Sequence, residues 1–406
     1  LATQSDSTHP DSPNVSSSPS LRELWSLNPD VDFLNHGSFG ATPICVQEQQ
    51  RDWIQQLECD PIEFLGPERS LIPRLDHVRA VVADQVATES SNIAFVRSAT
   101  DGVNAVLRSM SFRAGDQILI TSHGYNACNN AARFVADRSS AEVVIAELPF
   151  PIHAATEVID AFESSITSRT KLVLVDHVTS STALVLPIAE IVDLAHRRGA
   201  KVLVDGAHAP GLLPVDLAAI SADFYTANHH KWWCAPKASG FLMVCPESQS
   251  DIHPTVISHG ANTRGLGDSR FQSEFNWQGT YDPSSLLSLP GALQFLNQLH
   301  PNGMPAVMEN NRALALAGRR LILETLGSAE PAPESMIGSM ATIPVHALDA
   351  MNDNQLDAFR RDLFHVHRIE MPVIRIADGP TCVRISAHAY NDLDQYRRLA
   401  DVLKAV

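Results

Sequence analysis

The chain has 406 residues, 44% of them hydrophobic and 19% charged, enough for a large buried core in an ordinary globular composition. Its formal net charge of −16 repels phosphate backbones, so nucleic acid is disfavoured as a partner. No apolar run approaches the roughly 18 residues needed to cross a bilayer, which disfavours a membrane-spanning role.

Residues 1–20 are rich in Ser, Pro, Thr and Asp and nearly devoid of large apolar groups. Such a segment cannot offset its ordering entropy by burial, so a disordered tail is expected. It also lacks a basic stretch followed by an apolar core, so no signal peptide is expected. From residue 21 to about 60 the chain becomes globular and carries the turn-like run Asn35-His36-Gly37-Ser38-Phe39-Gly40.

Strands are expected at Asn92–Val96, Gln117–Thr121, Val143–Ala146, Lys171–Val175, Lys201–Val204, Ala222–Thr226 and Gly240–Val244. Helical periodicity intervenes: Val103, Val106, Leu107 and Met110 share one face, as do Ile188, Ile191, Val192 and Ala195 after Pro187. Continuous β-branched runs separated by helices imply an α/β fold with a mostly parallel seven-stranded sheet covered on both faces. Ligands in such sheets lie beyond the carboxyl ends of strands. His123, His177 and Asp205 fall there.

After about Leu299 the pattern changes. A helix near Arg312–Leu326 precedes a strand near Met340–Val345 and a helix near Gln355–Phe364. Strands near Glu370–Ile376 and Thr381–Ser386 and a helix over Leu393–Val406 follow. The expected organisation is a large domain over 61–299 and a smaller α/β domain over 300–406, completed by the segment 21–60.

There are only five lysines. Lys171 and Lys201 begin strands, at the end away from a ligand site, and Lys404 is terminal. That leaves Lys237 and Lys231, and Lys231 sits in the run HHKWW just after a strand, where desolvation would lower its pKa and free an amine. Taken singly, a lysine is most often an ordinary loop residue; the aromatic and imidazole neighbours reverse that reading. Asp205 closes the run KVLVD, and His208 follows in DGAHAPG. A lysine and an upstream aspartate, each at a strand end, suit pyridoxal 5'-phosphate (PLP). The amine would hold the aldehyde as a Schiff base, and the carboxylate would keep the ring nitrogen protonated. The run FVRSATDG is a strand, a turn and a helix start, whose free N–H groups suit a phosphate, although taken alone it reads better as a helix start simply capped by Thr100. Nucleotide-binding glycine loops are absent, which disfavours nucleoside triphosphates and dinucleotides.

Together these runs resemble the class V branch of fold-type I PLP enzymes, over about Leu21 to Leu403. LNHGSFGATP, HVTSSTALVLPI, DGAHAPG and HHKWWCAPKASGFL are similar to the isopenicillin N epimerase-like proteins. The resemblance implies that Lys231 holds the cofactor and moves the proton at the substrate α-carbon, and that Asp205 pairs with the ring nitrogen. It implies that His208 and Thr179 or Ser180 meet the phenolic oxygen. Ala99, Thr100, Asn228, His230 and, from a neighbouring subunit, Thr280 meet the phosphate. Asn228 replaces the serine usual there. His123 or Tyr125 would cover the ring. Arg384, assisted by Asn35, would grip the substrate carboxylate. A homodimer with shared active sites is implied.

Six cysteines (Cys45, Cys59, Cys128, Cys234, Cys245 and Cys382) without a CxxC pair fit a reducing, cytoplasmic setting. Cys382, two positions before Arg384 in a strand, reads as packing, which disfavours a persulfide-forming desulfurase. The leading expectation is an epimerase acting at an amino-acid α-carbon. A C–S β-lyase on a cysteine derivative is the alternative. A metal-binding or structural protein, through His229-His230 or His365 and His367, is the minor one, and no metal is expected. The loop 258–275 is expected to shape pocket specificity, and its Gly-rich part, Gly260 to Gly267, reads equally as a lid or as passive surface.

Overall fold

The computed structural model describes residues 21–377 and 379–406; the expected tail 1–20 lies outside them. The strands are β1 (Asp32–Phe33), β2 (Ile93–Val96), β3 (Gln117–Thr121), β4 (Glu142–Ala146), β5 (Thr170–Asp176) and β6 (Lys201–Asp205). They continue with β7 (Phe224–Asn228), β8 (Gly240–Val244), β9 (Met340–Pro344), β10 (Ile369–Glu370), β11 (Val373–Arg375) and β12 (Thr381–Ser386).

Seven of them form one sheet in the order β2-β8-β7-β6-β5-β3-β4. The run β7-β6-β5-β3-β4 is parallel, while β8 lies antiparallel between β2 and β7. Every residue of β2, β3, β7 and β8 is buried, because helices cover both faces. The edge strand β4 exposes Glu142 and Ile145 instead. In the β5–β6–β7 register, Asp176 lies opposite Asp205 and Asp205 opposite Thr226. Paired positions in parallel strands point to the same face, so this register gathers two carboxylates at one edge.

A second, antiparallel sheet, β11-β12-β9, places Arg384 opposite Thr342. Against it pack the helices Gly303–Leu326 and Leu393–Lys404. They approach closely at Gly318, where an added Cβ would lie 2.8 Å from the Tyr396 ring. A short parallel pair, β1 with β10, forms a separate two-stranded sheet. This pair delivers the turn at His36–Phe39 between the two larger sheets. Gly37 N–H donates to Ser386 Oγ at 3.1 Å, and the His36 ring lies 3.0 Å from the Lys231 carbonyl.

The long helix begins at Gly303, earlier than the expected Arg312, because Gly303 and Pro305 form its first turn rather than breaking it. The segment 258–275 is not one loop. It contains the helix Arg270–Asn276, with Phe271 to Asn276 buried.

Candidate active site

The turn after β7 fixes the lysine. His229 N–H donates to Ser239 O at 3.0 Å, and Cys234, at φ 57°, returns its N–H to Lys231 O at 3.0 Å. Trp232 and Trp233 are each 1% exposed and anchor the turn. Losing such a side chain costs roughly 3–5 kcal/mol, so the turn has little freedom.

The anchored turn aims Lys231 into a cavity of about 160 Å³ at the carboxyl ends of β5, β6 and β7. Asp205, His208, Asn228, His230, Thr100, Tyr125 and Ser180 also line it. Lys231 Nζ lies 3.0 Å from His208 Nε2. Burial lowers the lysine pKa to about 8, against the pull of Asp205. Burial also keeps His208 neutral, and the nearby Lys231 charge adds to this. His208 Nδ1 is buried with no partner. Asp205 is raised by burial, eased by hydrogen bonds from the Cys128 thiol at 3.1 Å and the Ala207 N–H at 3.0 Å.

Arg384 approaches from the second sheet. It donates to Ser180 O at 2.6 Å and to Ser38 Oγ at 3.1 Å, both neutral. It is 3% exposed, its Nε has no partner, and burial lowers its pKa to about 10. A buried cation held only by neutral acceptors is costly, and a bound carboxylate offsets that cost.

Several expected residues sit differently. Tyr125 lines the cavity, whereas His123 is buried against Thr182, 3.1 Å away. Thr179 is likewise engaged, with Thr182 Oγ1 at 2.7 Å, leaving Ser180 on the cavity wall. The helix Ala99–Ser109 is capped by Ser98, which accepts from Asp101 N–H, not by Thr100. The Ala99 N–H donates to Asn228 Oδ1 at 2.9 Å, so the asparagine ties strand to helix start. Asn35 donates to Glu370 at 3.0 Å and accepts from Ser38 Oγ at 2.5 Å, one residue removed from Arg384. Thr280 lies in a separate cleft beside Arg97, Ser239 and Gly279. His230 Nδ1 faces Ser239 O at 3.2 Å.

Sequence reasoning missed Asp176. It lines the same cavity, 7% exposed, and burial with the adjacent Asp205 pushes its carboxyl well above the usual range. Its position in the β5 run was visible, but its pairing with Asp205 is a matter of register. Also missed was the buried cluster of His36, Cys234 and His388. The two imidazoles stack at 4.2 Å and 23°, so their lone pairs lie in separate planes and converge poorly on a cation. His36 is moreover committed to Tyr390 OH at 2.8 Å and to the Lys231 carbonyl. Of the sequence-proposed metal ligands, His229 is buried against Trp233 and Phe241, and His365 and His367 are exposed.

A largely parallel sheet with a buried lysine facing an aspartate at its carboxyl edge defines the fold-type I class of PLP enzymes. The Aminotransferase class-V family model matches residues 67–399. The chain belongs to the class-V aminotransferase family, a PLP-dependent family. It is 32% identical over 395 residues to isopenicillin N epimerase of Amycolatopsis lactamdurans, covering 94% of this chain and 97% of that one. It is 31% identical over 420 residues to a probable chloroplastic L-cysteine desulfhydrase of Arabidopsis thaliana, covering 97% and 86%. Among solved structures, the cystine C–S lyase C-DES in complex with cysteine persulfide superposes with a TM-score of 0.76 at 21% identity, covering 93% of this chain and 98% of that one.

Proposed function

We propose that the cavity binds PLP and an amino acid, and exchanges the proton at the α-carbon as an epimerase. The observation that carries this is the meeting of Lys231, His208 and Asp205 around one cavity, with Arg384 bonded to its wall residues Ser180 and Ser38. The residues fit the group: a buried carboxylate for the ring nitrogen, an orphaned His208 nitrogen for an oxygen, and the start of an eleven-residue helix for a phosphate. When bound, PLP supplies an electron sink for charge left at the α-carbon.

Lys231 would hold the cofactor aldehyde and then carry the α-proton, its lowered pKa leaving part of the amine neutral near pH 8. His208 faces the amine as a neutral acceptor. Arg384 would fix the substrate carboxylate and so orient the α-hydrogen. An epimerase also needs a second proton carrier. Tyr125, whose N–H donates to Asp176, stands on the cavity wall for that role.

A second reading is C–S β-elimination, favoured by the desulfhydrase-named relatives, and it needs only the lysine base. The described residues place no cysteine on the cavity wall, and Cys382 is buried in β12, so a persulfide route is disfavoured. Incubating the holoenzyme with chiral amino acids and with cysteine derivatives separates the readings. Loss of optical activity without pyruvate supports epimerisation; pyruvate and sulfide support elimination. Absence of both across the amino acids, with no absorbance from bound cofactor, removes the proposal.

The protein is further proposed to be a homodimer. Thr280 and the positive-φ Gly279 open onto a cleft beside Arg97, next to the phosphate end of the cavity. Six free cysteines support a reducing compartment, proposed to be the cytoplasm. No described helix is long and apolar enough to cross a membrane.

A further inference from the structure

Cys128 lies in the first turn of the helix Asn126–Ser139 and is 2% exposed. Its Sγ is 3.1 Å from Oδ2 of Asp205, itself 3% exposed. The other oxygen, Oδ1, takes the Ala207 N–H at 3.0 Å. One donor from a helix and one from a turn therefore fix the carboxylate on both sides. The adjacent acid, Asp176, adds like charge rather than a counter-ion.

We propose that Cys128 is a positioning residue whose thiol proton holds Asp205 as the anion that pairs with the ring nitrogen of the cofactor. This rests on the PLP reading of the site. The thiol suits the task because burial, and then the neighbouring carboxylates, discourage its ionisation, so it remains a neutral donor. Its helix also carries the cavity-lining Tyr125 at its N-terminal end, so the contact joins the carboxylate to the wall of the site. Without the donor, Oδ2 loses its hydrogen bond in a buried setting and becomes more basic. The proton shared with the ring nitrogen then moves toward Asp205.

Three substitutions separate hydrogen bonding from packing. Cys128→Ser keeps a donor, Cys128→Val keeps apolar volume without one, and Cys128→Ala keeps neither. The variants are loaded with ¹⁵N-labelled PLP, and the ring-nitrogen resonance and cofactor dissociation constant are read. The Ala and Val variants are expected to bind about tenfold more weakly, the scale of one hydrogen bond to a charged group. Their resonance is expected to move toward that of unprotonated pyridine, with Ser close to wild type. Wild-type behaviour of Val, or Ser behaving as Ala, overturns the proposal.

A cofactor-free measurement keeps this separate from the functional reading. The Cys128 S–H stretching band is isolated by infrared difference between wild type and Cys128→Ser. It is expected at lower wavenumber in wild type than in Asp205→Ala. An equal band in both overturns the thiol–carboxylate bond itself. A shifted band in a protein that binds no PLP leaves the bond standing and removes the cofactor reading.

Discussion

Lys231 pays for its placement with a pKa depressed from 10.5 to about 8. Between those values the folded state binds fewer protons at this site than the unfolded chain. Stability therefore rises with pH across the window, and the full penalty applies below about pH 8. The shift corresponds to about 3 kcal/mol. In cofactor-free protein, the stability gap between Lys231→Met and wild type should shrink by about that amount between pH 7 and pH 10.5, read by denaturant titration. A pH-independent gap contradicts the depressed amine. The same variant is expected to lose the cofactor's visible absorbance and all turnover. Arg384 presents the opposite balance. Arg384→Met removes donors to Ser180 and Ser38 but also an unpaired buried cation. Stability should stay within about 1 kcal/mol, while the KM for amino acids rises at least about tenfold. A large fall in melting temperature with unchanged KM would instead make this arginine structural. The placement of Asp205 at a strand end, of Lys231 just past one and of Arg384 within a strand was legible because each closes or interrupts a distinctive run. Asp176, Cys128 and the inward turn of His123 were not, because they depend on strand register and on which way a side chain leaves its helix or turn.

At the scale of elements, the helix Ala99–Ser109 is held against β7 by the absence of a side chain at Gly102. A Cβ there would lie 2.1 Å from Thr226 Oγ1, whose hydroxyl is committed to Phe241 O at 2.9 Å. Gly102→Ala should push the helix start away from Asn228 and cost about 1–3 kcal/mol by overpacking. Calorimetry reads the stability loss, and equilibrium dialysis should show weaker retention of PLP. Unchanged retention in a destabilised protein would detach this helix from the phosphate. The strands of the large sheet were legible because burial on both faces demands unbroken apolar runs. The antiparallel direction of β8 was not, since direction leaves no mark on composition. Nor was the two-residue pair β1–β10, which joins Asp32 to Ile369 across most of the chain.

At the scale of the whole molecule, the proposed active site is a junction. Asp205 and Lys231 come from the large sheet and the turn after it, Arg384 reaches the wall residues Ser180 and Ser38 from the second sheet, and the turn at His36 bonds to the Lys231 carbonyl and to Tyr390. If the proposed dimer also lends Thr280 to its neighbour's phosphate, neither subunit alone completes a site. Two defective variants, Lys231→Ala and Thr280→Arg, then fail for different reasons. In a heterodimer, the Thr280→Arg subunit keeps its own lysine and receives an intact Thr280 from its partner, so one of the two sites is whole. Random reassociation of equal amounts makes half the dimers mixed, and activity should recover to about a quarter of wild type. Recovery near zero, with sedimentation confirming that mixed dimers form, would place Thr280 in its own subunit's site or outside any site. A monomer at assay concentration that remains fully active would remove the shared-site arrangement altogether.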